Sequence, residues 1–198
     1  MEVKVVAFDG VAAKQFIGEV AKLRIEVFRA YPYLYDGSVA YEQEYLQTYL
    51  DVMDSIVVLA FDGEKVVGAS TGIPMKSETE NVKGPWEKAG YDVSKIFYFG
   101  ESVLLPTYRG KGIGVEFFNK REAWAQQIDG IEMTTFCAVV RDENDLRKPE
   151  GYISLDAFWQ KRGYKKMDKL LCEMSWQEIG EEEESSKKLM FWNKRLEK

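Results

Sequence analysis

The chain has 198 residues, 45% apolar and 30% charged, which suits one globular domain over residues 1–198 and excludes a disordered chain. Lys and Arg number 27 against 33 Asp and Glu, a formal charge of −6 that argues against general nucleic-acid binding, which needs a basic face. Histidine is absent, so no Ser-His-Asp or Cys-His pair and no His-containing zinc site can be built; acid–base chemistry must use Glu, Asp, Tyr, Lys, Cys or water.

In chain order, Val3 to Phe8 reads as a strand, and Ala13, Phe16, Ile17, Val20, Leu23, Val27 and Phe28 recur at helical spacing. Pro32 and Asp36-Gly37-Ser38 separate this helix from a second one, Tyr41 to Leu50, in which Tyr41, Tyr45 and Tyr49 share one side. Two β-rich runs, Ser55 to Phe61 and Lys65 to Pro74, flank Asp62-Gly63-Glu64 and predict a hairpin. Lys76 to Asp92 is polar, contains Gly84-Pro85 and Gly90, and reads as a long surface excursion. Ile96 to Leu105 reads as one strand stopped by Pro106, Gly112 to Ile128 as a helix, and Met133 to Val140 as a strand. A charged loop, Arg141 to Gly151, then precedes a short helix from Ser154 to Arg162, a strand from Tyr164 to Trp176, an acidic Glu181 to Glu184 loop and a last β segment, Leu189 to Leu196. The order β-α-α-β-β-β-α-β-α-β-β predicts a mixed α/β sheet and excludes a doubly wound fold.

Cys137 and Cys172 sit inside apolar β runs and read as reduced, buried thiols. The segment beginning Met1-Glu2-Val3-Lys4 lacks a basic stretch followed by an apolar one, and no apolar run approaches the roughly 20 residues that span a bilayer. A cytoplasmic protein with no membrane association is expected.

The segment Phe99 to Gly114 carries the chemistry: a strand, a proline stop, a glycine-rich turn and a helix start. Such a turn gathers backbone N–H groups at the positive end of a helix, a natural phosphate site. Gly110, Gly112 and Gly114 permit close approach, and Arg109 and Lys111 add positive charge. A dinucleotide fingerprint would need glycine at Val115, and a Walker loop would need Ser or Thr after Gly-Lys; neither is met.

The run Val103-Leu-Leu-Pro-Thr-Tyr-Arg109-Gly-Lys-Gly112-Ile-Gly114 resembles the acyl-CoA pyrophosphate motif of the GNAT N-acetyltransferase superfamily, met at Arg109, Gly112 and Gly114. The element order from Val3 to about Trp176 matches that fold, and Ala157 to Tyr164 resembles the family's later helix and strand start. The resemblance implies acetyl-CoA as co-substrate, held by Val103, Leu104, Leu105, Arg109, Gly110, Lys111, Gly112, Ile113 and Gly114 between two splayed strands, with no metal. It places the amide that polarises the thioester carbonyl near Leu104 and Leu105, because Pro106 has no N–H.

It also implies transfer of an acetyl or short acyl group to a primary amine of a small molecule by direct attack. The attacking amine must lose a proton, since an alkylammonium has a pKa near ~10.4. Glu101 is the candidate base. The family's usual acid, a tyrosine, is replaced by Trp159, which leaves Tyr152 and Tyr164 as candidate acids. Tyr31, Tyr33, Tyr35, Tyr41, Tyr45 and Tyr49, with Glu42, Glu44 or Asp36, are candidates for an aromatic, amine-attracting acceptor pocket. The alternatives are a non-catalytic acyl-CoA-binding module and a protein or peptide N-acetyltransferase; no nucleic-acid partner is expected, and a homodimer is left open.

Overall fold

Nearly every β-rich run of the sequence becomes a strand of one mixed sheet. The computed structural model describes residues 2–197; Met1 and Lys198, the ends of the expected domain, lie outside the described residues. The strands are β1 (Lys4–Asp9), β2 (Ile56–Asp62), β3 (Lys65–Pro74), β4 (Ile96–Tyr98), β5 (Ser102–Leu104), β6 (Met133–Val139), β7 (Lys165–Trp176) and β8 (Ser185–Arg195). Among the described residues they are ordered β1-β2-β3-β4-β6-β8-β7, with β5 also paired to β3. All pairs are antiparallel except β4 with β6.

Helices α1 (Gly10–Ala13), α2 (Ile17–Phe28) and α3 (Val39–Leu50) follow β1; α4 (Glu80–Lys88) follows β3; α5 (Ile113–Gln126) and α6 (Asp156–Lys161) follow β5 and β6. The single helix expected over Ala13 to Phe28 is broken by a 3-10 turn at Lys14–Phe16. Phe16 there packs its ring on Phe8 and Phe61, 5.2 and 5.4 Å away, which favours the break. Helix α3 starts two residues before Tyr41 because Ser38 caps it, its Oγ accepting from Tyr41 N–H at 3.4 Å.

The segment 76–92 is not the surface excursion that its polarity suggested. It forms α4, whose Val82 and Trp86, four residues apart, are buried against Ile96, Trp176 and Phe191. The last strand begins at Ser185, four residues before Leu189, because its first residues pair with the end of β7.

Ile96 to Leu105 is not one strand but two. Three β4 residues pair in parallel with Met133 to Thr135, and the ladder ends where Phe99 N–H donates to Thr135 O at 2.8 Å. The chain then bulges through Gly100 and Glu101 and continues as β5, which pairs with β3 alone. Beyond that point β6 pairs only with β8, so the free edges of β5 and β6 diverge and leave a cleft between them. The fold thus opens its sheet in the middle, beside the motif-bearing turn. No helix among the described residues is long and apolar enough to cross a membrane.

Candidate active site

Pro106 ends β5 by starting a 3-10 turn, Pro106–Tyr108, and the Tyr108 hydroxyl donates to Asp62 at 2.7 Å. Gly112 is the N-cap of α5 at φ 83°, a conformation that costs a side-chain-bearing residue about 1 kcal/mol or more. The amides of Val115 and Glu116 return to Gly112 O at 2.9 and 3.1 Å. Among the described residues, the amides from Gly110 to Gly114 find no acceptor in the chain. A Cβ placed at Gly110 or Gly112 would meet nothing within 4 Å, so the concavity in front of these amides is open. Free amides at a helix N-terminus, flanked by exposed Arg109 and Lys111, suit a diphosphate.

The cleft between β5 and β6 forms a cavity of about 440 Å³. Its bulged wall is held by Arg121 of α5, fully buried. Arg121 Nη1 donates to Thr71 O and Glu101 O, both at 3.2 Å, Nη2 to Ser102 Oγ at 2.9 Å, and Nε to Phe117 O at 3.1 Å. The guanidinium also lies 4.1 Å from the Phe99 ring centre. Burial lowers its pKa to about 10, which leaves it cationic at neutral pH.

Antiparallel alternation separates the two expected thioester donors. Leu105 N–H is already donated to Val67 O at 3.0 Å, so it is not free for a ligand. Leu104 therefore turns its own N–H and C=O to the open edge, and Arg109 Nε donates to that carbonyl at 3.2 Å. Val103 is fully buried beneath the cleft and, like Leu105, turns its main chain to β3, whereas Ile113 is a core residue that offers only its main chain.

A second cavity, of about 350 Å³, meets the first at Tyr33, Gly100 and Glu101. Tyr33, Tyr35, Tyr41, Tyr45 and Trp176 are its aromatic walls, and Glu42, Glu78 and Glu101 its carboxylates. Glu101 is 5% and Glu42 1% exposed, and both pair with Arg24 of α2: Nη1 lies 2.6 Å from Glu101 Oε2, and Nε donates to Glu42. Burial disfavours the Arg24 charge, yet the two carboxylates raise its pKa above an already high value. Burial likewise pushes Glu101 up, opposed by Arg24. Glu101 is thus held in an ion pair rather than standing free.

The structure brings Glu101, Tyr152, Tyr31 and Tyr33 to the first cavity and Tyr33, Tyr35 and Glu42 to the second. Tyr31 and Tyr152 meet edge-on at 4.7 Å. Tyr164 is elsewhere: it is 1% exposed, lines neither cavity, and its hydroxyl bonds Thr134 at 2.8 Å and Glu122 at 3.0 Å. Core packing against Phe99, Phe118 and Phe136 claims its ring, which removes it as a proton donor to the cleft. Trp159 lines the cleft wedged against Phe136 and Trp192 at 5.0 and 5.1 Å. Asp36 is exposed and paired with Arg29, and Glu44 lies on the exposed side of α3. Arg141 ties the charged loop to the Tyr31–Tyr35 segment by donating to Pro32 O, Tyr33 O and Glu178.

Arg24, Glu78 and Arg121 were not among the expected site residues. Arg24 had a signal, since it falls within the apolar stripe Val20, Leu23, Val27, where an unpaired cation would be costly. Of the expected tyrosines on α3, Tyr45 lines the second cavity, while Tyr49 is buried behind it with its hydroxyl on that of Tyr45.

The acetyltransferase (GNAT) family matches residues 21–164, and the chain belongs to that family. No curated protein sequence matches it. Solved structures agree in fold. One is yncA of Salmonella typhimurium, determined with its cofactor acetyl-CoA, with TM-score 0.61 and 10% identity over 100% of this chain and 96% of that one. A ribosomal-protein-alanine N-acetyltransferase from Brucella melitensis gives 0.60 and 12%, covering 99% and 100%. A GNAT acetyltransferase from Streptococcus pneumoniae gives 0.58 and 13%, covering 98% and 99%.

Proposed function

We propose that the chain transfers an acetyl group from acetyl-CoA to a primary amine of a small molecule by direct attack. The observation that carries this reading is the meeting of two cavities at Glu101: one lies between β6 and the bulge that leads through β5 to the turn of free amides, the other is aromatic, acidic and limited to about 350 Å³. The residues present fit the co-substrate. Amides from Gly110 to Gly114, with Arg109 and Lys111, would hold its diphosphate, and the open edge of β5 would accept its amide-bearing arm. When bound, acetyl-CoA supplies an electrophilic thioester carbon and a thiolate leaving group. The free Leu104 N–H polarises the carbonyl, and Arg121 fixes the bulge that presents it.

Glu42, Glu78 and Glu101 outnumber Arg24 in the acceptor cavity, which favours a cationic amine arriving against tyrosine faces. Tyr152 is the hydroxyl available to the leaving sulfur; burial raises its pKa, so it carries its proton at neutral pH. Tyr152→Phe is expected to lower kcat about 10-fold. Tyr164→Phe should leave kcat unchanged while lowering stability by about 1 kcal/mol. Steady-state kinetics with thermal melts of both variants checks the pair.

Thiol release from acetyl-CoA in the presence of small primary amines tests the reading. Turnover with small amines, and less with peptides, is expected. Binding of acetyl-CoA without turnover on any amine would make the chain a binding module, and preference for peptides would make it a protein acetyltransferase.

A further inference from the structure

Glu78 lies just past β3, is 8% exposed and lines the acceptor cavity. Its carboxylate accepts from the Tyr49 hydroxyl at 2.9 Å and from Thr79 N–H at 3.0 Å. Among the described residues no lysine or arginine pairs with it, in contrast to Glu42 and Glu101.

The direction of the hydroxyls follows. An ionised carboxylate has no proton to give, so the single Tyr49 proton points to Glu78. The 3.1 Å contact between Tyr45 and Tyr49 oxygens is then a donation from Tyr45. Tyr45, having spent its proton, is left with lone pairs at the cavity it lines. Tyr49 is also set against the bulge: a Cβ at Gly100 would lie 2.3 Å from its hydroxyl oxygen, so glycine is needed for that approach.

We propose that Tyr45, Tyr49 and Glu78 form a proton wire that removes the proton from the acceptor ammonium. This rests on the acetyl-transfer reading of the same site. The ammonium N–H bond breaks and its electron pair stays on nitrogen as the attacking lone pair. The released proton bonds to Tyr45 oxygen as the Tyr45 proton passes to Tyr49 and the Tyr49 proton to Glu78 Oε1. The result is a neutral amine, two intact tyrosines and a neutral Glu78, which sits beside exposed Thr79 and returns its proton to water.

The surroundings support concerted transfer. Facing Glu78 are Tyr45 and Tyr49 from α3, Tyr98 from β4 and Cys172 from β7, and Glu101 of the bulge lines the same cavity. The nearest guanidinium in the cavity, Arg24, is bound to Glu42 and Glu101. Burial, with Glu78 and Glu101, pushes both tyrosine hydroxyls well above their ordinary pKa, so neither is a stable tyrosinate. Burial also pushes Glu78 up, against the hydrogen bonds from Thr79 and Tyr49, towards the proton affinity a base requires.

The test is the pH dependence of kcat/KM for acetyl-CoA with the best acceptor among tyramine, putrescine and glycylglycine. In the wild type, activity should rise with pH through the Glu78 titration. Glu78→Gln and Tyr49→Phe should each lower kcat/KM about 100-fold and abolish that acidic limb. Glu101→Gln should raise KM for the amine but keep the limb. Tyr45→Phe, at a half-buried position, breaks the entry of the wire and serves if Tyr49→Phe fails to fold. An active wild type whose Glu78 and tyrosine variants keep the wild-type limb would overturn the wire and leave the function standing. A wild type that acetylates none of the three amines would overturn the acetyl-transfer reading, and the wire with it.

Discussion

Replacing Gly112 with tryptophan is expected to weaken acetyl-CoA binding by about 100-fold or more, measured by calorimetric titration, with the fold retained. Gly112 stands at φ 83° with open space before it, so the substitution meets no protein atom. Its left-handed backbone costs a side-chain-bearing residue about 1–2 kcal/mol, which lowers the melting temperature by a few degrees without unfolding the chain. The indole instead fills the concavity in front of the Gly110 to Gly114 amides. Each charge-assisted hydrogen bond lost there is worth about 1.5–3 kcal/mol, so losing one or two suffices for the expected change in Kd. Gly112→Ala separates the two contributions: it carries the backbone cost but leaves most of the concavity open, and should bind more tightly than the tryptophan variant.

Arg24→Met is expected to destabilise the protein by about 3–5 kcal/mol, because it strands two buried carboxylates. Glu42 and Glu101 both meet Arg24, and the guanidinium also covers the Tyr45 ring at 4.5 Å. Without the cation, the Glu101 pKa, which burial already raises, moves further up in the folded state. A carboxyl whose folded pKa exceeds its unfolded value of about 4.3 destabilises the fold only above that value. The gap between wild type and variant should therefore be small at pH 4 and widen as pH rises towards 7. Denaturant melts across that range check it. Adding Glu42→Leu to Arg24→Met should recover part of the loss, since it removes one stranded charge.

These two sites differ in how far they could be read from sequence. The amide cradle is local: Pro106 stops a strand, Gly112 caps a helix, and everything needed lies between Phe99 and Gly114. The hairpin of β2 and β3 was legible for the same reason, with its turn residues lying between two β-rich runs. The Arg24 cluster is not local. Its partners lie 18 and 77 positions away, on α3 and in the bulge, and only the packed sheet brings them together.

Glu78 was hidden by a polar segment whose helix shows itself only through Val82 and Trp86, buried by strands far along the chain. The break at Gly100 was hidden because the apolar runs Ile96 to Phe99 and Val103 to Leu105 flank it and read as one strand, although a glycine inside such a run is a bulge signal. What splits it is the competition of two neighbours, with β6 pairing β4 and β3 alone pairing β5, and Arg121 filling the gap from α5. Tyr164 looked like an acid because it adjoins Trp159 in sequence, yet the strand it leads into turns it inward onto Thr134.

Amide-resolved NMR titration with coenzyme A tests the account most directly. The backbone amides of Gly110, Lys111, Gly112, Ile113 and Gly114 should show the largest shifts and gain protection from solvent exchange as the coenzyme is added. Unmoved amides across this turn, with saturable binding that perturbs another part of the chain, would contradict it.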